Sequence, residues 1–223
     1  MIQQTFAFAS AEASIAPPAW VNDLRHCHLC PDLCHQRQHI VVGALQPSPI
    51  VLIGEAPGQH EDEQGHPFVG RSGQLLTQLL AEAQIPRGSV VGIVNTVKCR
   101  PPNNRKPTQE ELAQCRPWLK KQLALLQPRL LILCGSTAVE ALLDNKQPIS
   151  KQRGQWHSVV ALAGVNDNLP LQAMPIFHPS YLLRNHRLSE GSPRWHTRND
   201  LALVAEAYQR LCQDLQREKK HHG

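Results

Sequence analysis

The chain has 223 residues, which fits one large domain and is long enough to bury a hydrophobic core without disulfides. Aromatic residues make up only 4% of it, so the core must come mainly from Leu, Val, Ile and Ala. The formal net charge of +5 suits a polyanionic partner, and equally an ordinary enzyme of modest positive charge.

The first 19 residues are rich in Ala, Ser, Gln and Pro and show no sustained periodicity, which predicts a flexible tail before a single domain over 20–223. They lack the basic stretch and long apolar segment of a secretory signal. No later segment approaches the roughly 20 apolar residues of a membrane span. We therefore expect a cytoplasmic monomer with no membrane partner, whose seven cysteines are metal-bound or free thiols.

A short helix is predicted from Pro18, before the first pair of cysteines. Four short apolar runs then predict buried parallel strands, namely Ile50–Ile53, Val90–Val94, Leu130–Cys134 and Ala173–Phe177. Amphipathic patterns between the first three predict helices at Ser72–Gln84 and Thr108–Leu126, the second with a capping box formed by Thr108 and Glu111. A short helix follows Gly135, a hairpin or loop insertion occupies Trp156–Leu171, and a last helix carries Leu201 and Leu215 on one side.

Strand–helix alternation implies a parallel sheet covered by helices on both faces. In such sheets ligands bind beyond the carboxyl ends of the strands. Gly54–Gly58 follows the first strand, Asn95 the second and His178 the fourth. We therefore expect a site where an acid, an amide and an imidazole meet at this edge.

Four cysteines form two pairs, Cys27-x2-Cys30 and Cys99-x15-Cys115. Four thiolates suit either zinc or an iron–sulfur cluster, and their spacing does not decide between the two. Cys34 lies close to the first pair and is a competing candidate ligand. Cys134 ends an apolar strand and Cys212 lies on the last helix, so both are interpreted as packing residues.

Three motifs together resemble the family-4 uracil-DNA glycosylases. They are Gly54-Glu55-Ala56-Pro57-Gly58-x-x-Glu61-Asp62-x-x-Gly65-x-Pro67-Phe68-Val69-Gly70, Asn95-x-x-Lys98-Cys99-Arg100-Pro101-Pro102 and His178-Pro179-Ser180-Tyr181-Leu182-Leu183-Arg184. The resemblance runs in the same order from about Cys27 to Leu201. It implies an α/β fold, a three-layer α/β/α sandwich with a central four-stranded parallel sheet. It also implies a [4Fe-4S] cluster held by Cys27, Cys30, Cys99 and Cys115.

The activity implied by the resemblance is that of a monofunctional uracil-DNA glycosylase. Such an enzyme hydrolyses the N-glycosidic bond of uracil in single- or double-stranded DNA and leaves an abasic site, as in base excision repair of deaminated cytosine. Breaking this bond develops positive charge on the sugar and negative charge on the uracil, so the site must accept that charge and place a water. No lysine stands at the predicted edge as a nucleophile, so no covalent imine and no strand cleavage are expected.

His178 and Glu55 are the predicted catalytic residues. His178 would donate to a uracil carbonyl oxygen, and Glu55 would orient or activate water, with Glu61 and Asp62 as alternatives. The predicted substrate contacts are Gly54, Glu55, Ala56, Gly58, Glu61, Phe68, Asn95 and His178. Asn95 would donate to uracil O4 and accept from N3–H, a pattern that cytosine reverses. Phe68 would stack on the flipped base.

Each of these roles has a simpler alternative: a surface histidine before a turn proline, a strand-ending asparagine and a core phenylalanine. The sequence also departs from a related glycosylase family, which carries aspartate where this chain has Ala56 and tyrosine where it has Gly58. Water activation and thymine exclusion must therefore be achieved differently. Glu61, or the backbone near Gly58, would crowd the C5 position of the base.

DNA contacts are predicted from an exposed turn after His178. There Leu182 or Leu183 would wedge into the space that the flipped nucleotide leaves, although ordinary helix-start packing is the alternative. Basic residues around the site would contact phosphates, namely Arg100, Arg105 and Arg184, together with Lys106 and Arg187.

Two other functions remain open at this point. Some relatives trap uracil-DNA covalently through a histidine in the loop after the second strand, but this chain has no histidine between His66 and His157. A redox-sensing iron–sulfur DNA-binding protein would need only the four cysteines and basic loops. It would leave Asn95, Phe68 and His178 unexplained.

Overall fold

A five-stranded sheet runs through the part of the chain that the computed structural model describes, residues 17–143, 147–159 and 171–221. The strands, in chain order, are β1 (Ile50–Gly54), β2 (Val91–Asn95), β3 (Leu130–Cys134), β4 (His157–Val159) and β5 (Leu171–Ile176). Their spatial order is β2-β1-β3-β5-β4. The four predicted strands are confirmed within two residues at each end.

The predicted four strands are parallel, and the fifth is an addition that runs antiparallel. β4 pairs with β5 through His157 opposite Ala173 and Val159 opposite Leu171. The two ends of the insertion expected at Trp156–Leu171 thus pair with each other in antiparallel orientation. The middle of this insertion, 160–170, lies outside the described residues. β4 has only three residues, which is too few for an alternation of apolar and polar residues to be recognised in the sequence.

Helices cover both faces of the sheet and frame its carboxyl edge. They are α1 (Ala19–Arg25), α2 (Pro31–Gln36), α3 (Gln59–Gln64), α4 (Arg71–Glu82), α5 (Gln109–Leu126), α6 (Ser136–Leu143), α7 (Ile149–Gln152), α8 (Pro179–Arg184) and α9 (Pro193–His221). None of these described helices is long and apolar enough to cross a membrane.

Alternating side chains of β1 divide the core in two. Ile50 and Leu52 face one side and pack with leucines of α4 and apolar residues of α9. Val51 and Ile53 face the other side and pack with α5 and α6. Since burying one such side chain contributes about 1.5–3 kcal/mol, both faces must be covered, and the three-layer α/β/α sandwich is confirmed.

The longer helices match the amphipathic segments predicted from the sequence, whereas three short helices were not predicted from periodicity. The capping box of α5 is confirmed: Glu111 N–H donates to Thr108 Oγ1 at 3.1 Å, and Thr108 N–H donates to Glu111 Oε2 at 2.8 Å. α2, α3 and α8 have six residues each, which is too few for a helical period to show. α1 begins at Ala19, inside the expected tail, and residues 1–16 of that tail lie outside the described residues.

The strand order creates a switch point at β1. The chain passes from β1 to β2 on one side and then returns to β3 on the other side. Loops leaving the carboxyl ends of β1 and β3 therefore diverge, and a crevice opens between them. The sequence motifs lie at this crevice.

Candidate active site

A cavity of about 270 Å³ lies at the carboxyl edge of the sheet. Seven of the eight predicted substrate contacts line it, namely Glu55, Ala56, Gly58, Glu61, Phe68, Asn95 and His178. They come from the carboxyl end of β2 and from the segments that follow β1 and β5, as the strand-end argument predicts. The structure therefore brings the three motifs together in one pocket.

His178 lies at the N-cap of α8, where its ring Nδ1 accepts the backbone N–H of Ser180 at 3.2 Å. The Ser180 hydroxyl is also 2.8 Å from Nδ1. Because Nδ1 is an acceptor, the proton of the neutral ring sits on Nε2. Burial lowers the pKa of His178 to about 4, and the charge of Arg184 adds to this effect. The ring is thus a neutral donor near pH 7.

Asn95 ends β2 and is only 2% exposed. Its side-chain Oδ1 is buried without a hydrogen-bond partner. Such an atom costs roughly 1–3 kcal/mol when nothing donates to it. The pocket therefore contains an acceptor that a ligand N–H would satisfy.

Phe68 is buried, and its ring centroid is 6.0 Å from that of His178 with a 36° tilt between the planes. Its φ of 54° is in the left-handed region, which a bulky residue rarely adopts. Arg87 holds this conformation by donating to Phe68 O at 2.8 Å and to Pro67 O at 2.5 Å. The aromatic wall is thus fixed by an arginine that sequence reasoning did not single out.

Gly54 does not line the cavity but makes room for it. A Cβ built on Gly54 would lie 2.7 Å from Cε2 of Phe68, closer than real contacts allow. It would also collide with Oδ1 of Asn95. The predicted substrate role of Gly54 is therefore corrected: its missing side chain lets the aromatic ring and the amide approach each other.

Glu55 lies between the main cavity and a second one of about 470 Å³. Its Oε2 accepts a short hydrogen bond from Thr137 Oγ1 on α6. Its backbone carbonyl accepts from Thr96 Oγ1 at 2.5 Å and from the Val97 N–H at 3.0 Å. The carboxylate is thus held at the crevice between β1 and β3. Applying the strand-end argument to β3 as well would have found Thr137.

The two alternative carboxylates have structural partners. Glu61 accepts backbone N–H groups of Gly58, Val69 and Gly70 at 3.1, 2.9 and 2.8 Å, which locks the loop on either side of Phe68. Asp62 is 1% exposed and accepts from the Gln38 and His39 amides, away from the cavity. Asp62 as a water activator is therefore wrong, because its oxygens are used to hold the N-terminal segment.

The expectation of an exposed turn after His178 is wrong for Leu182, whereas the predicted contact of Leu183 stays a prediction. Leu182 lies on α8 with no exposed surface and belongs to the core shared with α4 and α9. Leu183 is partly buried against the same core. The six-residue helix turns them inward, while Tyr181 stays 38% exposed beside the second cavity. Leu182 cannot wedge into DNA from this position.

The basic side chains predicted to contact phosphates differ in whether protein partners already occupy their hydrogen-bond donors. Arg105 lines the cavity, but both of its terminal nitrogens donate to the Glu111 carboxylate, at 2.8 and 2.7 Å. Arg100 donates from Nε to Asn104 Oδ1 at 2.8 Å. Arg184 and Lys106 line the second cavity next to Glu55 and His178. The guanidinium of Arg105 is thus already paired with Glu111, and this pair stabilises the loop that carries Arg105.

A separate small cavity is lined by all four predicted metal-binding cysteines, Cys27, Cys30, Cys99 and Cys115. The remaining lining is largely apolar, with Leu24, Leu33 and Trp118 among it. Cys34 is not part of this lining and donates weakly to the Cys27 carbonyl instead. Cys134 and Cys212 are buried elsewhere, as expected of packing residues.

Burial raises the pKa of Cys99 to about 12 and that of Cys30 to about 11. Arg37 acts against this at Cys99, to which it donates at 3.2 Å. Thiols in such surroundings keep their protons unless a metal centre replaces them. Trp118, whose buried indole N–H lacks an acceptor, also lines this cavity.

This donor set fits a cysteine-bound cluster. In the described part of the chain, no three or more Cys, His, Asp or Glu side chains are close enough together to hold a single metal ion. The four thiols line one cavity, and four cysteine thiolates are a ligand set that an iron–sulfur cluster takes.

The comparison with protein families matches residues 41–202 to the model described as "Uracil DNA glycosylase superfamily". Among curated relatives, the type-4 uracil-DNA glycosylase of Thermotoga maritima is 44% identical over 164 residues, covering 73% of this chain and 80% of the relative. The chain belongs to the type-4 uracil-DNA glycosylases.

Two other type-4 uracil-DNA glycosylases support this assignment. That of Pyrobaculum aerophilum is 37% identical over 185 residues, covering 81% of this chain and 88% of the relative. That of Sulfurisphaera tokodaii is 34% identical over 167 residues, covering 73% of each chain. The superfamily match contains the whole active-site cavity of this type-4 member, but it begins after Cys27 and Cys30.

Proposed function

We propose that this type-4 uracil-DNA glycosylase hydrolyses the N-glycosidic bond of uracil in DNA and leaves an abasic site. The observation that supports this best is the unpartnered Oδ1 of Asn95, buried in a pocket that also holds a neutral His178 and the Glu55 carboxylate. This pocket combines an acceptor for a base N–H, a donor for a base carbonyl and a carboxylate that can act on water.

Recognition of uracil follows from the Asn95 amide. Uracil N3–H would donate to Oδ1, and uracil O4 would accept from Nδ2. Cytosine has an acceptor at N3 and an amino group at C4, so it would leave both amide groups unsatisfied in a buried place. Sites built around such hydrogen bonds reject the wrong ligand by about 10⁴-fold or more.

Bond cleavage relies on His178 and Glu55. As the glycosidic bond breaks, negative charge develops on the uracil carbonyl oxygen, and the fixed Nε2–H of His178 donates to it. Positive charge develops on the deoxyribose, and Glu55 stabilises it and orients the attacking water. Phe68 stacks on the extruded base and holds it against these groups.

We also propose that Cys27, Cys30, Cys99 and Cys115 hold a [4Fe-4S] cluster. Cys27 and Cys30 lie beside α2, whereas Cys99 lies four residues after Asn95 and Cys115 lies on α5. When bound, the cluster would join the N-terminal segment to the loop after β2. Its role is therefore structural, since it fixes a segment that contributes directly to the pocket.

The DNA strand is proposed to run across the second cavity. Arg184 and Lys106 would neutralise phosphates there, with Arg100 as a further contact. Tyr181, rather than Leu182, offers an exposed ring on which a base beside the extruded uracil could stack. A redox-sensing DNA-binding protein, the main alternative, would need neither Asn95 nor the pocket around it.

The proposed activity is tested with anaerobically purified protein and an oligonucleotide carrying one uracil. Alkali-sensitive breaks are scored, with thymine and cytosine at the same position as controls. We expect breaks at uracil only. In His178→Ala the rate should fall about 100- to 1000-fold, which is the usual cost of losing one donor to a developing oxyanion.

His157→Ala is the matched control, because His157 lies on the edge strand β4 and its ring contacts Gln152 O. Glu55→Gln should lose most activity while keeping affinity for uracil-containing DNA, whereas Glu63→Gln, on the exposed side of α3, should match the wild type. An iron-loaded wild-type protein that cuts no uracil DNA would overturn the proposal and favour a sensing role.

A further inference from the structure

Lys98 carries a buried charge that the proposed reaction does not use. It is fully buried, with no exposed surface, at the boundary between the uracil pocket and the cysteine cavity. Removing an ammonium group from water costs several kcal/mol unless other groups compensate it. A lysine in this place therefore needs partners that justify its burial.

Two of its partners are neutral oxygens. The Nζ atom donates to the backbone carbonyl of Asn95 at 2.7 Å and to Oε1 of Gln122 at 2.6 Å. Gln122 is itself fully buried and donates to the carbonyls of Val42 and Ala44, both at 2.8 Å. These dipoles orient the ammonium, but they do not neutralise it.

On its other side Lys98 borders the cysteine cavity. Lys98 lines the cavity of the four cysteines, and Cys99 follows it in the chain. Four thiolates around a cluster make an anionic centre next to this ammonium. Lys98 thus contacts the cluster site at one end and Asn95 at the other.

We propose that Lys98 is the positioning residue through which the cluster sets the geometry of uracil recognition, by balancing its anionic charge and holding the carbonyl of Asn95. This inference rests on the proposed function. Loss of the cluster would leave the ammonium uncompensated and release the turn that presents the Asn95 amide. Lys98 would then favour both cluster retention and excision.

The test uses Lys98→Met, which keeps the length of the side chain and removes its charge. Lys120→Met, an exposed lysine of α5, is the matched control. Cluster loss to an iron chelator is followed by visible absorbance and by iron per chain. We expect loss in Lys98→Met to be about 10- to 100-fold faster, the usual effect of removing an outer-shell partner.

Kinetic measurements distinguish a loss of Asn95 positioning from a general loss of folded protein. With activity normalised to bound iron, Lys98→Met should have a lower kcat on uracil DNA and an unchanged Kd for undamaged DNA, because the phosphate contacts remain. Equal rates of cluster loss and equal normalised kcat in the Lys98 and Lys120 variants would overturn the inference. A wild type without iron or without excision would instead overturn the proposed function itself.

Gln122→Glu provides a second test if Lys98→Met does not fold. The new carboxylate pairs with Lys98 in the absence of a cluster. The drop in Tm on removal of the cluster should therefore be smaller in Gln122→Glu than in the wild type. An equal drop in both proteins would show that the charge of Lys98 does not depend on the cluster, and the inference would fail.

Discussion

The uracil pocket and the cysteine cavity share one segment, Asn95–Cys99, but they are built in opposite ways. The pocket is open and lined by polar groups, and an Asn95 oxygen is left without a partner. The cysteine cavity is lined mostly by apolar side chains, and burial raises the pKa of Cys30, Cys99 and Cys115. The first region keeps hydrogen-bonding capacity free for a ligand, whereas the second excludes water around a resident group.

The largest effect is expected in the uracil pocket and concerns base selectivity. Replacing Asn95 by Leu removes both groups that read the base, so selectivity for uracil over cytosine should fall by about 10⁴-fold. Single-turnover rates on matched oligonucleotides measure it, with Asn199→Leu at an exposed position of α9 as the control. Unchanged selectivity would mean that Asn95 only ends the strand.

The cysteine side is tested by two neighbouring residues. Cys30→Ser removes a lining thiol, so iron per chain and visible absorbance should fall to background. Cys34→Ser alters a thiol outside that lining and should retain the iron of the wild type. Equal loss of iron in both variants would contradict the assignment of ligands.

A smaller effect is expected where the pocket depends on a residue outside it. Arg87→Met removes the donors that hold Phe68 in its left-handed conformation, so the excision rate should fall by up to about 100-fold. Adding Phe68→Ala to this variant should then cost little, since both changes act on one wall. Arg210→Met, at an exposed position of α9, is the control.

The last prediction concerns pH. Burial lowers the pKa of His178 from 6.5 to about 4, so the unfolded chain binds this proton between those values and the folded chain does not. His178 should therefore reduce the free energy of unfolding as pH falls from 6.5 to 4, by up to about 1.4 kcal/mol per pH unit. Urea unfolding of the wild type and His178→Ala measures the difference.

The excision rate gives the same pH test a second readout. Because the neutral ring is the donor, the contribution of His178 to the rate should persist through pH 6.5 and decline only near pH 4. Single-turnover rates over this range check it. A decline centred near 6.5 would show that the ring titrates as an exposed histidine does.

Strong local patterns gave correct predictions. Apolar runs located the four parallel strands, and the Thr108–Glu111 spacing located the start of α5. Because parallel strands end at one edge, the residues that follow them could be assigned to one pocket from their positions in the sequence. The choice of Cys30 over Cys34 came from the family resemblance, and the lining of the cysteine cavity agrees with it.

The predictions that failed concern side chains on short helices, whose packing depends on the rest of the chain. Leu182 was predicted on an exposed turn, yet six residues of helix place it in the core. Asp62 and Glu61 look alike in sequence, but one holds the N-terminal segment and the other locks the loop around Phe68. The direction of a side chain on a short helix depends on what packs against it, which no local pattern encodes.

The sequence by itself thus determined the layers of the fold, the edge that carries the site and the chemical groups available there. These follow from periodicity and from strand-end position, which are local properties. Only the tertiary structure decided which of those groups are free. It pairs Arg105 with Glu111, leaves the Asn95 oxygen without a donor and buries the charge of Lys98. The reason is that burial and partnership depend on residues far apart in the chain.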